Sequence, residues 1–116
     1  MKKYILRFRT VDRRNFDEIK NGLKSVETRA ATVRYRDIQK GDTLVIVCGT
    51  ARVTKEVKRV RHFTSIAGMF KAIPFKRIMP SARSAAEARA TYYGYPGYKE
   101  KIRRFGIVAL YIQSDE

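Results

Sequence analysis

The chain has 116 residues, which is enough for one compact domain, and we expect residues 1–116 to form a single domain. Its hydrophobic content of 44% excludes a disordered tail. The 26 Lys and Arg residues outnumber the 11 Asp and Glu residues, and the resulting formal net charge of +15 favours a polyanionic partner, nucleic acid in particular.

The composition also argues against several other classes of protein. One cysteine (Cys48) and one histidine (His62) cannot supply a Cys/His zinc cluster, and we expect neither a metal nor a cofactor. No apolar run has the length of a membrane span, so we expect no membrane partner. Arginines stand where the apolar part of a signal peptide would lie, which predicts a cytoplasmic protein.

The opening of the chain changes from a strand pattern to a helix pattern. The residues KYILRFR alternate as in a strand, and Phe16, Ile19 and Leu23 then recur at helical spacing. Asp12 suits the start of this helix, and Gly22 suits the left-handed position that ends one.

The next segment, KSVETRA, is predicted to be a short strand. Because side chains alternate faces along a strand, Val26 and Thr28 point one way and Glu27 and Arg29 the other. Lys24 lies at the corner between helix and strand, where a long side chain can swing. The pattern therefore places three charged side chains close together.

The middle of the chain is predicted to contain two strands and a helix. The nearly apolar run TLVIVCG is typical of a strand buried on both faces. RVTKEVKRVRHF is interpreted as one strand, with a bulge or bend between Val57 and Val60 where the parity changes. TSIAGMFKA is predicted to be a helix that Thr64 caps.

The last part of the chain is predicted to contain a helix, a turn and a strand. Ser84 and Glu87 form a capping box at the start of SAAEARATYYG, YPGY is a turn, and RRFGIVALYIQ is a buried strand. The total of about five strands and about three helices indicates an α+β domain built on a small curved sheet or barrel.

The stretch NGLKSVETR resembles the pattern G-x-K-x-x-E-x-R of the ASCH domain, a member of the PUA-like superfamily. The order of the neighbouring segments FDEIKNG, IQKGDTLVI, YPGY and FGIVALYI is also similar, so the resemblance covers nearly the whole chain. It implies a PUA-like β-barrel with helices at its side and a cleft lined by Gly22, Lys24, Glu27 and Arg29.

The resemblance implies RNA binding as the main expectation. Some small relatives hydrolyse the amide of acetylated cytidine nucleosides, and ribonuclease activity has been attributed to others. In the amidohydrolase type a threonine takes the position of Glu27 and a glutamate lies upstream of the last helix, whereas the stretch RIMPSARS here has no carboxylate. An RNA-binding module is thus the first interpretation, and a hydrolase using the same cleft is the alternative.

The charged cluster has a role under each interpretation. Arg29 offers a planar fork to a phosphate or a base edge, Lys24 can contact phosphate or a ligand carbonyl, and Glu27 can orient either cation or accept a base amine. In an enzyme, Lys24 or Glu27 would be the general base. An exposed Glu27–Arg29 ion pair on a solvated strand would need no ligand at all.

A second candidate surface combines aromatic and basic side chains. Tyr95 and Tyr98, expected in a loop, can stack on bases of single-stranded RNA, while cations such as Arg59 follow the backbone. The core must take Tyr92 or Tyr93 if the preceding helix is amphipathic. An adaptor whose basic face meets an acidic protein is a third interpretation.

Overall fold

The structure is a computed structural model, and it describes residues 1–113. It has six strands and five α-helices, with a short 3-10 turn at Thr10–Asp12. The strands are β1 (Lys3–Phe8), β2 (Val26–Ala30), β3 (Thr43–Cys48), β4 (Ala51–Glu56), β5 (Arg59–Phe63) and β6 (Ile107–Tyr111). The helices are α1 (Arg13–Lys20), α2 (Ile66–Ala72), α3 (Phe75–Ile78), α4 (Ala85–Gly94) and α5 (Tyr98–Phe105). Within this described range, no helix is both long enough and apolar enough to cross a membrane.

The strands form two three-stranded sheets, with the orders β1-β3-β4 and β2-β6-β5. β1 is parallel to β3, and the other neighbours are antiparallel. The α+β class is therefore confirmed. The predicted closed barrel is not observed, because within residues 1–113 no ladder of backbone hydrogen bonds joins the two sheets.

The segment interpreted as one bent strand is in fact two strands in different sheets. The chain leaves the first sheet at Val57, whose N–H donates to the Asp42 carbonyl at 2.8 Å. It enters the second sheet at Lys58, whose N–H donates to the Tyr111 carbonyl at 2.7 Å. The change of parity between the valines marked this crossing, and the strand count rises from five to six as a result.

The core consists of two apolar clusters that share β6. Ile107, Ala109 and Tyr111 face a cluster formed with α2, α3 and α4, whereas Val108 and Leu110 face a cluster formed with the first sheet and α1. All five residues of β6 are buried, as expected of a strand covered on both faces. This double burial explains the unbroken apolar run near the end of the chain.

Two helices, α3 and α5, were not predicted from the sequence. α5 contains Arg103–Phe105, which were assigned to the last strand, and α3 is a single short turn. α5 buries only Ile102 among its residues, although Tyr98, Ile102 and Phe105 recur at helical spacing. Gly106 ends it with φ of 79°, and a Cβ there would lie 2.5 Å from the Phe63 carbonyl oxygen.

Several helix starts also differ from expectation. Asp12 makes no capping hydrogen bond, because its carboxylate accepts from Arg9 Nε at 2.9 Å instead. Ser65 rather than Thr64 caps α2. At the other end of α1, Leu23 was predicted to belong to the helix but lies beyond it, with 63% of its surface exposed. The Ser84 cap is confirmed, since its hydroxyl accepts from the Glu87 N–H at 3.1 Å.

Candidate functional site

A cleft of about 270 Å³ opens where the edge of one sheet faces the edge of the other. β1 and β2 are both end strands of their sheets, and the Arg29 Nη2 lies 3.4 Å from the Arg7 carbonyl oxygen across the gap. The three tyrosines of the α4–α5 region close the third side. The lining includes Arg7, Phe8, Arg9, Lys24, Glu27, Thr28, Arg29, Tyr92, Tyr95 and Tyr98.

Gly22 shapes the approach to the cleft but does not line it. Its φ of 85° is one that glycine adopts readily, and the turn brings the Lys24 N–H to the Glu18 carbonyl at 2.9 Å. The Gly22 carbonyl accepts from Gln113 Nε2 at 2.9 Å, away from the lining residues. Gly22 therefore contributes to the site only through the backbone turn that leads to Lys24.

Lys24 is at the floor of the cleft and is only 3% exposed. Its ammonium donates to the Ile78 carbonyl and lies 3.3 Å from Glu27 Oε1. A buried cation needs both a counter-ion and hydrogen-bond acceptors, and this arrangement supplies them. The flexible corner position expected from the sequence is therefore a fixed, buried one.

Glu27 holds the cluster together and is 4% exposed. Oε1 accepts from the Thr28 N–H at 3.0 Å, and Oε2 accepts from Arg29 Nε at 3.1 Å. Burial alone raises the pKa of this carboxyl, but the charges of Lys24 and Arg29 and the Thr28 hydrogen bond outweigh it and lower the pKa overall. A carboxylate held ionised in this way is a weak proton acceptor.

Arg29 is fixed on several sides yet keeps part of its guanidinium available. The Cζ atom of Arg29 lies 5.0 Å from the centre of the Phe8 ring and 5.6 Å from the centre of the Tyr35 ring. Burial lowers the pKa of the guanidinium, but the charge of Glu27 outweighs burial and the pKa is raised overall. Its hydrogen bonds and its ion pair use Nε and Nη2, and every buried side-chain N or O atom in the described part of the chain has a partner. Nη1 is therefore not fully enclosed, and because Arg29 lines the cleft its two N–H groups are available to a ligand there.

The free edge of β2 adds backbone groups to the cleft. The Thr28 N–H is satisfied by Glu27, and the Ala30 N–H donates to the Tyr98 hydroxyl at 3.2 Å. In an antiparallel ladder the N–H and C=O of one residue point to the same side. The Thr28 carbonyl therefore also points away from β6, towards the cleft.

Three tyrosines form the aromatic wall of the cleft. Tyr92 and Tyr98 are parallel within 6° at 6.5 Å between ring centroids, and Tyr95 stands nearly perpendicular to both. Tyr92 is 2% exposed, and its hydroxyl bonds to that of Thr28. Tyr95 and Tyr98 are half-buried, and burial raises the pKa of Tyr95 to about 12. Tyr98 begins α5 rather than lying in a loop, so that part of the prediction is wrong.

Arg59 is not among the residues that line the cleft. It lies in β5, where its guanidinium is 5.3 Å from the centre of the Tyr111 ring. The structure thus brings together Lys24, Glu27, Arg29, Tyr95 and Tyr98, and leaves Gly22 and Arg59 outside the lining. Arg59 is exposed on the sheet and can serve only a surface more distant from the motif.

The sequence interpretation missed the contribution of β1. Arg7 and Phe8 line the cleft and contact Arg29, although their alternation in the sequence indicated only a strand. Their role could have been predicted only with the knowledge that β1 and β2 are end strands of two sheets and lie next to each other. No group of three or more His, Cys, Asp or Glu side chains in residues 1–113 could hold a metal ion.

The fold and the motif cleft define an ASCH-type domain. The chain belongs to the ASCH domain family, because the model of that family matches residues 10–115. This family is PUA-like and is generally linked to RNA binding.

Two solved structures share the fold. The crystal structure of hypothetical protein PH0355 superposes with a TM-score of 0.81 at 24% identity, covering 97% of this chain and 98% of that one. The solution NMR structure of protein PF0455 from Pyrococcus furiosus gives a TM-score of 0.71 at 24% identity, covering 98% of each chain. A comparison with curated proteins gave no match.

Proposed function

We propose that the protein is a single-domain, cytoplasmic RNA-binding module that holds one nucleotide of a single strand in the cleft. The observation that carries the proposal is the setting of Arg29, which lines the cleft and is held in place by two rings and Glu27. A preorganised guanidinium among aromatic rings suits a phosphate or a base edge. The volume of about 270 Å³ suits a single nucleotide rather than a duplex.

The side chains of the cleft have two roles: some hold other side chains in place, and others contact the nucleotide. Glu27 has both oxygens engaged by the protein, so its role is to hold Lys24 and Arg29. Arg29 then donates to the nucleotide, the Thr28 carbonyl accepts from it, and the Tyr95 ring stacks on the base. Lys24 adds positive charge beneath the ligand.

The net charge of +15 supports the same partner. Exposed cations on α5, next to the aromatic wall, can follow the phosphates of a strand that leaves the cleft. Lys99 lies there with its ammonium 5.4 Å from the Tyr93 ring centre, and Lys101 and Arg104 are exposed on the same helix.

Fluorescence anisotropy with a labelled single-stranded RNA octamer tests the proposal. Binding should weaken between about 50 and about 200 mM salt, with a log–log slope near −0.7 for each phosphate neutralised. Arg29→Lys keeps the charge but loses the fork and the ring stacking, so we expect about tenfold weaker binding. Arg52→Lys, an exposed position on β4, is the matched control and should bind like the wild type.

Two outcomes contradict the proposal. One is the absence of RNA binding at the lowest salt concentration, which would favour an adaptor for an acidic protein. The other is equal RNA affinity of the Arg29→Lys and wild-type proteins, which would place the binding surface outside the cleft.

A hydrolase acting on an acetylated cytidine or on RNA remains the second candidate, because Lys24 lies 3.3 Å from the Glu27 carboxylate at the cleft floor. The lowered pKa of Glu27 makes that carboxylate a poor general base near neutral pH. We therefore expect no turnover of either substrate by the purified protein. Activity in the wild type that disappears in folded Lys24→Ala would reverse the ranking, and the variant also controls for a contaminating nuclease.

A further inference from the structure

A second cleft of about 440 Å³ lies next to the first, on the far side of Tyr95. The two clefts share four lining residues, Asp12, Asn15, Met79 and Tyr95. The remaining walls of this neighbouring cleft come from α1, α4 and the segment between α3 and α4. A single-stranded RNA that places one nucleotide in the first cleft can therefore place the next nucleotide in the neighbouring cleft.

Three carboxylates line the neighbouring cleft, and two of them are paired with arginines. Asp12 lies 2.9 Å from Arg9 Nε, and Glu87 lies 3.1 Å from Arg83 Nε. Glu18 differs, because no cation lies within salt-bridge distance of it in the described part of the chain.

Glu18 is buried yet keeps one oxygen available. The residue is 6% exposed, and the Ser81 hydroxyl donates to Oε2. Oε1 makes no hydrogen bond to another of residues 1–113, although every fully buried side-chain oxygen in that range has a partner. Oε1 is therefore not fully enclosed, and because Glu18 lines the neighbouring cleft this oxygen is available there as an acceptor.

We propose that the neighbouring cleft takes the nucleotide adjacent to the one in the first cleft, and that Glu18 Oε1 accepts a hydrogen bond from the exocyclic amine of its base. The inference rests on the proposed RNA-binding function. Cytosine, adenine and guanine carry such an amine, whereas uracil and hypoxanthine present a carbonyl at the equivalent position to cytosine and adenine. Glu18 thus makes the subsite selective for amino-bearing bases.

The surroundings of Glu18 fit this role. The Ser81 hydroxyl fixes the rotation of the carboxylate, so the free oxygen points in one direction. Arg14, one helical turn earlier on α1, lines the same cleft and can meet the phosphate of that nucleotide. The arginine partners of Asp12 and Glu87 reduce the repulsion that three free carboxylates would exert on an RNA strand.

Binding of short RNAs to wild-type protein and Glu18→Gln tests the inference. The probes are a uridine tetranucleotide and its four variants with one cytidine. Wild-type protein should bind at least one of the four single-cytidine probes about two- to tenfold more tightly than the all-uridine probe, as expected for one hydrogen bond. Glutamine can still accept from Ser81 while its amide group donates into the cleft, so Glu18→Gln should reverse the preference towards uridine.

Two further variants complete the test. Asp17→Asn changes a carboxylate of α1 that is paired with Arg13 and lines neither cleft, and its preference should equal that of the wild type. Ser81→Ala frees the Glu18 side chain to rotate and should reduce the preference; it carries the test if Glu18→Gln fails to fold.

The outcomes separate this inference from the proposed function. An unchanged cytidine-to-uridine ratio in folded Glu18→Gln, with RNA binding still sensitive to Arg29→Lys, overturns the base-reading role alone. Absence of binding of every probe by the wild type overturns both.

Discussion

Glu27 Oε2 lies 3.1 Å from both Nε and Nη2 of Arg29, so a single carboxylate oxygen faces two N–H groups of the guanidinium. Glu27 is two residues before Arg29 on β2, and strand alternation puts both side chains on one face. The other oxygen faces Lys24, which makes Glu27 the shared anion of two cations.

Glu27→Gln is expected to lower the free energy of unfolding by about 3–5 kcal/mol, because it leaves two cations beside a neutral amide in a buried site. Chemical denaturation followed by circular dichroism measures the loss. Glu56→Gln removes an exposed carboxylate 3.6 Å from Lys58 and should change stability by less than about 1 kcal/mol. Equal effects of the two variants would show that the cluster is solvated.

Lys24→Ala is expected to destabilise the fold by a similar amount, about 3–5 kcal/mol, since Glu27 and the Ile78 carbonyl both lose a partner. Lys20→Ala, at an exposed position at the end of α1, should stay within about 0.5 kcal/mol of the wild type. Thermal melts of both variants check this. An unchanged melting temperature for Lys24→Ala would mean that the ammonium is not buried in solution.

The stability of the wild type should depend on Glu27 in the acid range. Its folded-state pKa lies below the unfolded value of about 4.3, so the stabilisation is complete above that value and is lost as pH falls through the folded-state pKa. The difference in unfolding free energy between wild type and Glu27→Gln should therefore shrink below about pH 4. Denaturation curves over acidic pH measure it, and a constant difference would contradict the lowered pKa.

Tyr95→Ala is expected to weaken RNA binding by about 1–3 kcal/mol, as for the loss of one base-stacking ring. The salt slope should change little, because no charge is removed. Tyr93→Ala serves as the control, since Tyr93 is 45% exposed and lies outside both clefts. The same loss of affinity in both variants would argue against stacking in the cleft.

Gly22→Ala is expected to cost about 1–2 kcal/mol of stability, because its φ of 85° lies in the left-handed region. RNA affinity should be retained at temperatures where the variant is folded, since Gly22 does not line the cleft. Gly94→Ala is a matched control: Gly94 is helical with no atom within 4 Å of an added Cβ, so alanine should be neutral or stabilising there.

The sequence predicted the local part of the site. Strand periodicity was enough to put Glu27 and Arg29 on one face, and Gly22 was correctly placed after the first helix. These features depend only on neighbouring residues and on the two-residue repeat of a strand. The resemblance to the ASCH pattern was confirmed by the family match.

The long-range part of the site could not be predicted. The Lys24 ammonium is buried by the Ile78 carbonyl, 54 residues later, and Phe8 reaches Arg29 from a strand of the other sheet. The chain crosses between the sheets at Val57, from β4 to β5, and the sequence indicated this crossing only as a bend. Such contacts follow from topology, which residue periodicity does not encode.

The Arg29 contact with the Arg7 carbonyl spans the gap between the two sheets and involves protein groups alone. The guanidinium is also ordered by Glu27 and by two rings, so its rotamer entropy is lost during folding and not during complex formation. Association should then proceed without rearrangement of the backbone, with bound and unbound forms nearly superimposable around β1 and β2. Calorimetry of Arg29→Lys should accordingly show a larger entropic penalty for association than the wild type, because the more flexible ammonium chain must be ordered by the ligand.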